Sequence, residues 1–474
     1  MISGINTRVR ELNLEISVLL DKEARMWAQR SRIQWASQGD KNTKYFHSKA
    51  TRRYRKNQIC GLRDKQDSWR VGQDDISEIV LDYYQKLFTS TVLDPPNIVL
   101  EHVPQVITEE MNQTLTGEFR EEEVLATLKQ MAPMKALGPD GMPPLFFQHF
   151  WNIVDSNVTS SILSWLNSGI LPHPLNHTFI ALIPKIKNPK HVHQFRPISI
   201  CNVLYKIFSK VLANILKALL PTIITEHQSA FTKDRLISNN ILVAFETLHS
   251  MQKHNSPKSG FMAIKLGMSK AYDHVEWSFL EELMRKMGFN ERWIHLTMLC
   301  VKTGTYSFLI NGEPRGLIHP TRGTRQGDPL SPFLFLLCTE GLNGLIKHEE
   351  RNGDIHGCFL CKKGLKLTHL LFADDSLLFC RATVEECDKH ILRSYERVSG
   401  QKVNRSKTTL FFSKNTHTDI KTSIKHALGV QEIMHYEKYL GLPSLVGKGK
   451  KASFNYIKER VWQKLQGWEG KLLS

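Results

Sequence analysis

Two adjacent aspartates, Asp374 and Asp375, close the run Phe372-Ala373-Asp374-Asp375 between two apolar, strand-like stretches, LTHLL and SLLFC. A chain written this way places two negative charges at the tip of a β-hairpin. That is costly unless something positive is held there, and the natural candidate is Mg²⁺, a hard cation bound through carboxylates and phosphates. Two such ions about 4 Å apart serve phosphoryl transfer by stabilising the attacking and leaving oxygens. Asp also favours turns for purely local reasons, so the pair alone fits either reading.

The rest of the composition bears on what approaches that tip. The 474 residues are ordinary in apolar content (41%) and charged content (23%), but 63 Lys and Arg against 46 Asp and Glu leave a formal charge of +17. A basic surface of that size attracts polyanions, with nucleic acid first among them. No apolar run approaches the ~20 residues that span a bilayer. The N-terminus MISGINTRVREL has no signal-peptide core, so an intracellular protein, nuclear or cytoplasmic, is expected. Eight scattered cysteines suit reduced thiols. Cys358 and Cys361 form one CxxC pair, but a zinc site wants a second pair at similar spacing, and Cys380 and Cys387 do not supply it.

Along the chain, residues 1–36 carry apolar residues near helical spacing, including Ile5, Leu12, Ile16, Leu19 and Met26. The segment from Lys41 to Asn57 interleaves Lys44, Lys49, Arg52, Arg53, Arg55 and Lys56 with Tyr45, Phe46 and Tyr54. Cations for phosphates beside rings for bases predict an RNA-binding element, against the alternative of a solvated basic face. A helix around Asp75–Phe88 follows, and Pro95-Pro96 marks a boundary. Helix patterns then cover Glu121–Met131, Val203–Leu219 and Trp277–Met287. Strand patterns cover Thr178–Pro184, Phe261–Leu266, Tyr306–Ile310, Leu367–Phe372 and Ser376–Cys380. The mixture predicts an α+β fold, a small antiparallel sheet covered by helices.

Four further blocks stand in order upstream of the aspartates: ALGPDGMPPLFFQHFW (136–151), LIPKIKNPKHVHQFRPIS (182–199), FMAIKLGMSKAYDHVEW (261–277) and TRGTRQGDPLSPFLFLL (321–337). The ordered series resembles the reverse transcriptases of non-LTR (long interspersed) retrotransposons. The flanks IQWASQGDKNTKYFH (33–47), SGQKVNRSK (399–407) and KYLGLPSLVGKGKKASF (438–454) resemble the plant elements in particular.

The resemblance implies a right-hand RNA-directed DNA polymerase that takes an RNA template, a DNA primer and deoxynucleoside triphosphates. Residues 1–117 would be an N-terminal extension, 118–258 fingers, 259–415 palm, and 416–474 the start of a thumb. Asp374 and Asp375 would hold metal. Tyr272 would lie under the incoming sugar and exclude ribonucleotides, and Gln326 and Gly327 would border nucleotide and template. Lys185 and Arg196 would grip the triphosphate, Arg through bidentate contacts. Lys407 would stand near the leaving pyrophosphate as a general acid.

One position departs from the pattern. The family's first palm motif runs roughly Leu-Asp-x-Ser-Lys-Ala-aromatic-Asp, and its first Asp binds both metals. This chain reads Leu266-Gly267-Met268-Ser269-Lys270-Ala271-Tyr272-Asp273. Asp273 is no substitute: if the strand stayed extended, six residues at ~3.3 Å each would place it about 20 Å away, and if a helix begins there it is nearer but still many ångströms off; a helix-start or packing role is expected for it. Losing such a ligand is expected to cost at least ~4 kcal/mol, or ~10³-fold in rate. The resemblance therefore implies a degenerate copy, clipped at both ends relative to full elements, with a non-catalytic nucleic-acid-binding protein as the alternative. Oligomeric state is not legible.

Overall fold

The structure, a computed structural model, describes residues 2–31, 43–91, 94–253, 260–359, 366–387, 391–432, 438–443 and 450–469. Parts of the motif blocks at 33–47 and 438–454, and Cys361, lie outside those residues. In chain order the helices include α1 (Ile2–Ser31), α2 (Thr43–Asn57), α3 (Ile237–Lys253), α4 (Trp277–Met287), α5 (Ser331–Arg351), α6 (Thr418–Leu428) and α7 (Lys450–Glu469). The strands include β1 (His177–Pro184), β2 (Phe195–Cys201), β3 (Phe261–Ser269), β4 (Thr305–Ile310), β5 (Glu313–Ile318), β6 (His369–Phe372), β7 (Asp375–Arg381), β8 (Lys402–Val403), β9 (Thr409–Phe412) and β10 (Gln431–Glu432). Among the described residues no helix is long and apolar enough to cross a membrane.

The fold is α+β and forms two compact units, each assembled from separated stretches of chain. The first takes residues 1–86, 119–208 and 303–319. Its sheet has the order β2-β1-β4-β5. β1 pairs antiparallel with β2 and parallel with β4. The expected N-terminal helix ends at Ser31, and the basic segment is itself helical from Thr43. The Trp27 and His47 rings meet at 3.5 Å between α1 and α2.

The second unit takes residues 87–118, 209–302 and 320–474. Its sheet runs β6-β7-β3-β9-β10, with β8 extending the pairing of β3. The small antiparallel sheet expected is met by β6-β7-β3-β9, and β10 departs from it: β9 and β10 are parallel. The reason is α6, which carries the chain between them and returns it in the same direction, a connection that parallel pairing requires. The strand read at Leu367–Phe372 is also shorter, because Thr368 separates β6 from a two-residue strand, Lys366–Leu367. One sheet face packs on α3 through Ala244, Leu248, Met251, Ala263, Leu377 and Phe379. The other face buries Met262, Ile264, Leu266, Cys380, Leu410 and Phe412.

Candidate active site

β3 alternates, and odd-numbered Lys265, Gly267 and Ser269 share one face at its C-terminal end. β7 lies antiparallel beside it with Asp375 directly opposite Gly267. β6 and β7 close as a hairpin in which Phe372 pairs with Asp375, leaving Ala373 and Asp374 as the tip. Asp374 is exposed and Asp375 half-buried. The structure thus brings Asp374, Asp375 and Gly267 to one end of one sheet.

Gly267 lies in ordinary extended backbone. A Cβ built there would come 3.4 Å from Cβ of Lys407 and 3.8 Å from its Cδ, which is van der Waals contact without a clash. No steric demand explains glycine at this position. Lys407 is exposed and follows a tight turn in which Asn404 donates its N–H to the Gly267 carbonyl at 2.8 Å. Burial pushes the Asp375 carboxyl up, the neighbouring Asp374 charge adds to that, and Lys265 and Lys407 oppose it. Lys265 is thus a neighbour of the site that the sequence reading missed. The signal available was the alternation of β3, which puts it two residues before Gly267 on the same face.

Beyond β3 the chain turns sharply at Lys270, whose φ is 49°. Asp273 and His274 both donate their N–H groups to the Lys270 carbonyl, at 2.9 and 3.2 Å. Asp273 is buried in this turn, four residues before α4 begins at Trp277, so the packing role holds and the helix-start role does not. Tyr272 is half-buried and stacks on Phe335 of α5, with ring centroids 5.1 Å apart. Burial and the Asp374 charge push its phenol up to about 12.

The loop 320–330 is held against this turn. Thr324 donates its N–H to the Tyr272 carbonyl at 2.7 Å, and Gly323 donates to Val275 at 2.7 Å. Gly323 sits at φ 91°, and a Cβ on it would come 2.7 Å from the Asp273 carbonyl, so the approach requires glycine. Buried ion pairs brace the loop, Arg322 to Glu276 at 3.2 Å and Arg325 to Asp328 at 2.9 Å. Gln326 and Gly327 lie between Arg325 and Asp328; Gln326 is half-buried and Gly327 exposed at φ 123°. The loop's own charges are thus spent on shaping it, and what it presents is Gln326 and the Gly327 backbone.

Lys185 and Arg196 belong to the first unit. Arg196 is exposed on β2, and Lys185 follows β1 with its ammonium 3.1 Å from the His193 carbonyl, to which it donates. Arg52, Arg53, Arg55 and Lys56 are all exposed on α2, whereas Lys49 is half-buried. The Lys44 side chain lies outside the described residues. Among the described residues no three His, Cys, Asp or Glu side chains gather into a metal-binding group.

Residues 184–444 match the family described as reverse transcriptase (RNA-dependent DNA polymerase). The chain belongs to the reverse transcriptase family. Its matched region contains both Gly267 and the Asp374-Asp375 hairpin. The chain is 24% identical over 461 residues to the uncharacterized 149 kDa protein of transposon TX1 from Xenopus laevis, covering 96% of this chain and 34% of that protein. It is 30% identical over 247 residues to the Pol polyprotein of the type-1 retrotransposable element R2 from Nasonia vitripennis, covering 51% of this chain and 22% of that protein. A 69-residue stretch is 52% identical to an uncharacterized mitochondrial protein, AtMg01250, of Arabidopsis thaliana, covering 15% of this chain and 57% of that protein. The chain thus spans about a third of the TX1 protein and about a fifth of the R2 polyprotein. It is a reverse transcriptase domain of the kind that non-LTR retrotransposons carry. Such a domain works on a nucleic-acid template and primer with nucleotides and divalent metal ions.

Proposed function

We propose that this chain is the polymerase core of a plant-type non-LTR retrotransposon, and that Gly267 leaves it able to bind its substrates while extending a primer slowly or not at all. The observation that carries the reading is the register of β3 and β7, which sets Gly267 opposite Asp375 in a family-matched sheet. The Arabidopsis match supports the plant assignment.

Strands β3, β6, β7, β8 and β9 of the second unit serve as the palm, within residues 259–415. The fingers come from 118–258, the thumb begins at 416, and 1–117 form the N-terminal extension. Asp374 and Asp375 are the metal ligands, and the preferred ion is Mg²⁺. Their carboxylates would hold one hard cation, with nucleotide phosphates supplying further oxygens. They do not fit a two-ion site, because the position that would bridge the ions carries no side chain. Tyr272, held against Phe335, is the ring that screens the sugar. Gln326 and Gly327 line the nucleotide and template, Lys185 and Arg196 take the triphosphate, and Lys407 stands as the general acid. Lys44, Lys49, Arg52, Arg53, Arg55 and Lys56 bind RNA phosphates.

The test is primer extension on an RNA template. Gly267→Asp is expected to raise the rate by ~10³-fold or more, and adding Asp374→Ala to it should abolish the gain. Robust extension by the unmodified chain would sink the proposal. A second reading, a nucleic-acid-binding protein without catalysis, draws support from the exposed cations of α2. It gains ground if RNA binds tightly and Gly267→Asp restores nothing.

A further inference from the structure

The aspartate-bearing turn has an unusual backbone. Ala373, immediately before Asp374, has φ 52°, a left-handed conformation that residues with a Cβ rarely adopt. A buried side chain reaches the amide of this residue. Gln228, with no exposed surface, accepts the Ala373 N–H on its Oε1 at 3.0 Å. The same oxygen accepts the Ala230 N–H at 3.0 Å, and the Gln228 Nε2 lies 3.5 Å from the Thr339 hydroxyl of α5, to which it donates. Residue 231, next to Ala230, is also left-handed, at φ 55°.

The backbone around Gln228 is tied to the hairpin as well. Leu371 donates its N–H to the His227 carbonyl at 2.8 Å, and Ser229 donates to the Leu371 carbonyl at 3.1 Å. Asn240 of α3 adds its Nδ2 to that carbonyl at 3.0 Å, while its Oδ1 accepts the Tyr439 hydroxyl at 2.8 Å. Residues 227–229 therefore act as a further short strand along β6. Their backbone holds β6, and the Gln228 side-chain amide reaches past it to the tip, where Met268 of β3 also donates its N–H to the Asp374 carbonyl at 3.4 Å.

We infer that Gln228 is a positioning residue for the Asp374-Asp375 turn: its buried amide oxygen fixes the left-handed Ala373 and so sets where the two carboxylates point. Gln228 touches neither carboxylate and acts through the backbone between them and itself. An acceptor is what the geometry requires, since both N–H groups converge on one oxygen. Glutamate keeps that acceptor at the same reach, and methionine keeps the length and removes it.

The experiment follows the Ala373 amide directly, in protein carrying nitrogen-labelled alanine. In the unmodified chain Gln228→Met should speed Ala373 hydrogen exchange by at least about tenfold relative to Ala263 in β3, the scale of one buried hydrogen bond lost. Gln228→Glu should restore protection. In the Gly267→Asp background, Gln228→Met should lower kcat by at least about tenfold with nucleotide KM changed by less than about threefold, and Gln228→Glu should recover kcat. Unchanged exchange at Ala373, or a rise shared equally by Ala263, would overturn the inference by assigning Gln228 a general structural role. The kinetic arm rests on the polymerase proposal and the exchange arm does not. An inactive Gly267→Asp protein with Ala373 selectively deprotected would count against that proposal and support this inference.

Discussion

The α1–α2 pair of the first unit and the sheet end around Gly267 in the second are both rich in charge, and they use it in opposite ways. On α2, Arg52, Arg53, Arg55 and Lys56 stand in solvent, and two of them also complement the negative end of their own helix. In the loop 320–330 and the turn it is held against, charges are buried and committed: Arg322 to Glu276 and Arg325 to Asp328. The first arrangement spreads positive charge over exposed, interchangeable cations. The second ties shape to single positions, and the proposed loss of activity at Gly267 follows from one residue that leaves the pairing of β3 with β7 intact.

Stability measurements should separate the two regions most widely at the buried ion pair. Arg322 donates to the Leu87 carbonyl at 2.8 Å as well as pairing with Glu276. Arg322→Ala is expected to cost about 3–5 kcal/mol in denaturant unfolding, because it strands the Glu276 charge. A loss below about 1 kcal/mol, the scale of an exposed pair, would erase the contrast with α2.

A pH series sharpens the same point. Burial pushes the Glu340 carboxyl up to about 7, against Thr225, Asn343, Lys347 and Arg235, which pull it down. A folded value above the unfolded one means that the stabilising contribution is present below about 4.5 and is lost as pH rises through about 7. Glu340→Gln should therefore gain on the unmodified chain by about 2 kcal/mol between pH 5 and pH 8, read from denaturant midpoints. A gap that stays flat with pH would show that the carboxyl titrates as if exposed.

The smallest effect on stability belongs to α2. Changing Arg52, Arg53, Arg55 and Lys56 together to Ala should shift unfolding by less than about 1 kcal/mol, since exposed substitutions away from caps and cores do little. RNA binding should respond instead, with the dependence of log affinity on log salt flattening by up to ~3–4 units. An unchanged salt slope would make α2 a solvated face and leave the comparison without a functional side.

Much of this was legible in the residues themselves. The run from LTHLL through FADD to SLLFC specifies strands on either side of a charged tip, and Trp277–Met287 has the helical periodicity and the Gly288 stop that end α4 where the structure ends it. The absence of a carboxylate at Gly267 is a fact of sequence, independent of any fold. What sequence could not decide is which strands become neighbours, because pairing between residues a hundred positions apart depends on how both faces of β3 are buried. Only the tertiary structure sets Asp375 opposite Gly267 and returns β10 parallel to β9. Only it reveals that Gln228, unremarkable in a polar stretch, reaches the Ala373 amide 145 residues away. A buried N–H must find an acceptor wherever the packing delivers one, and no local pattern announces which side chain that will be.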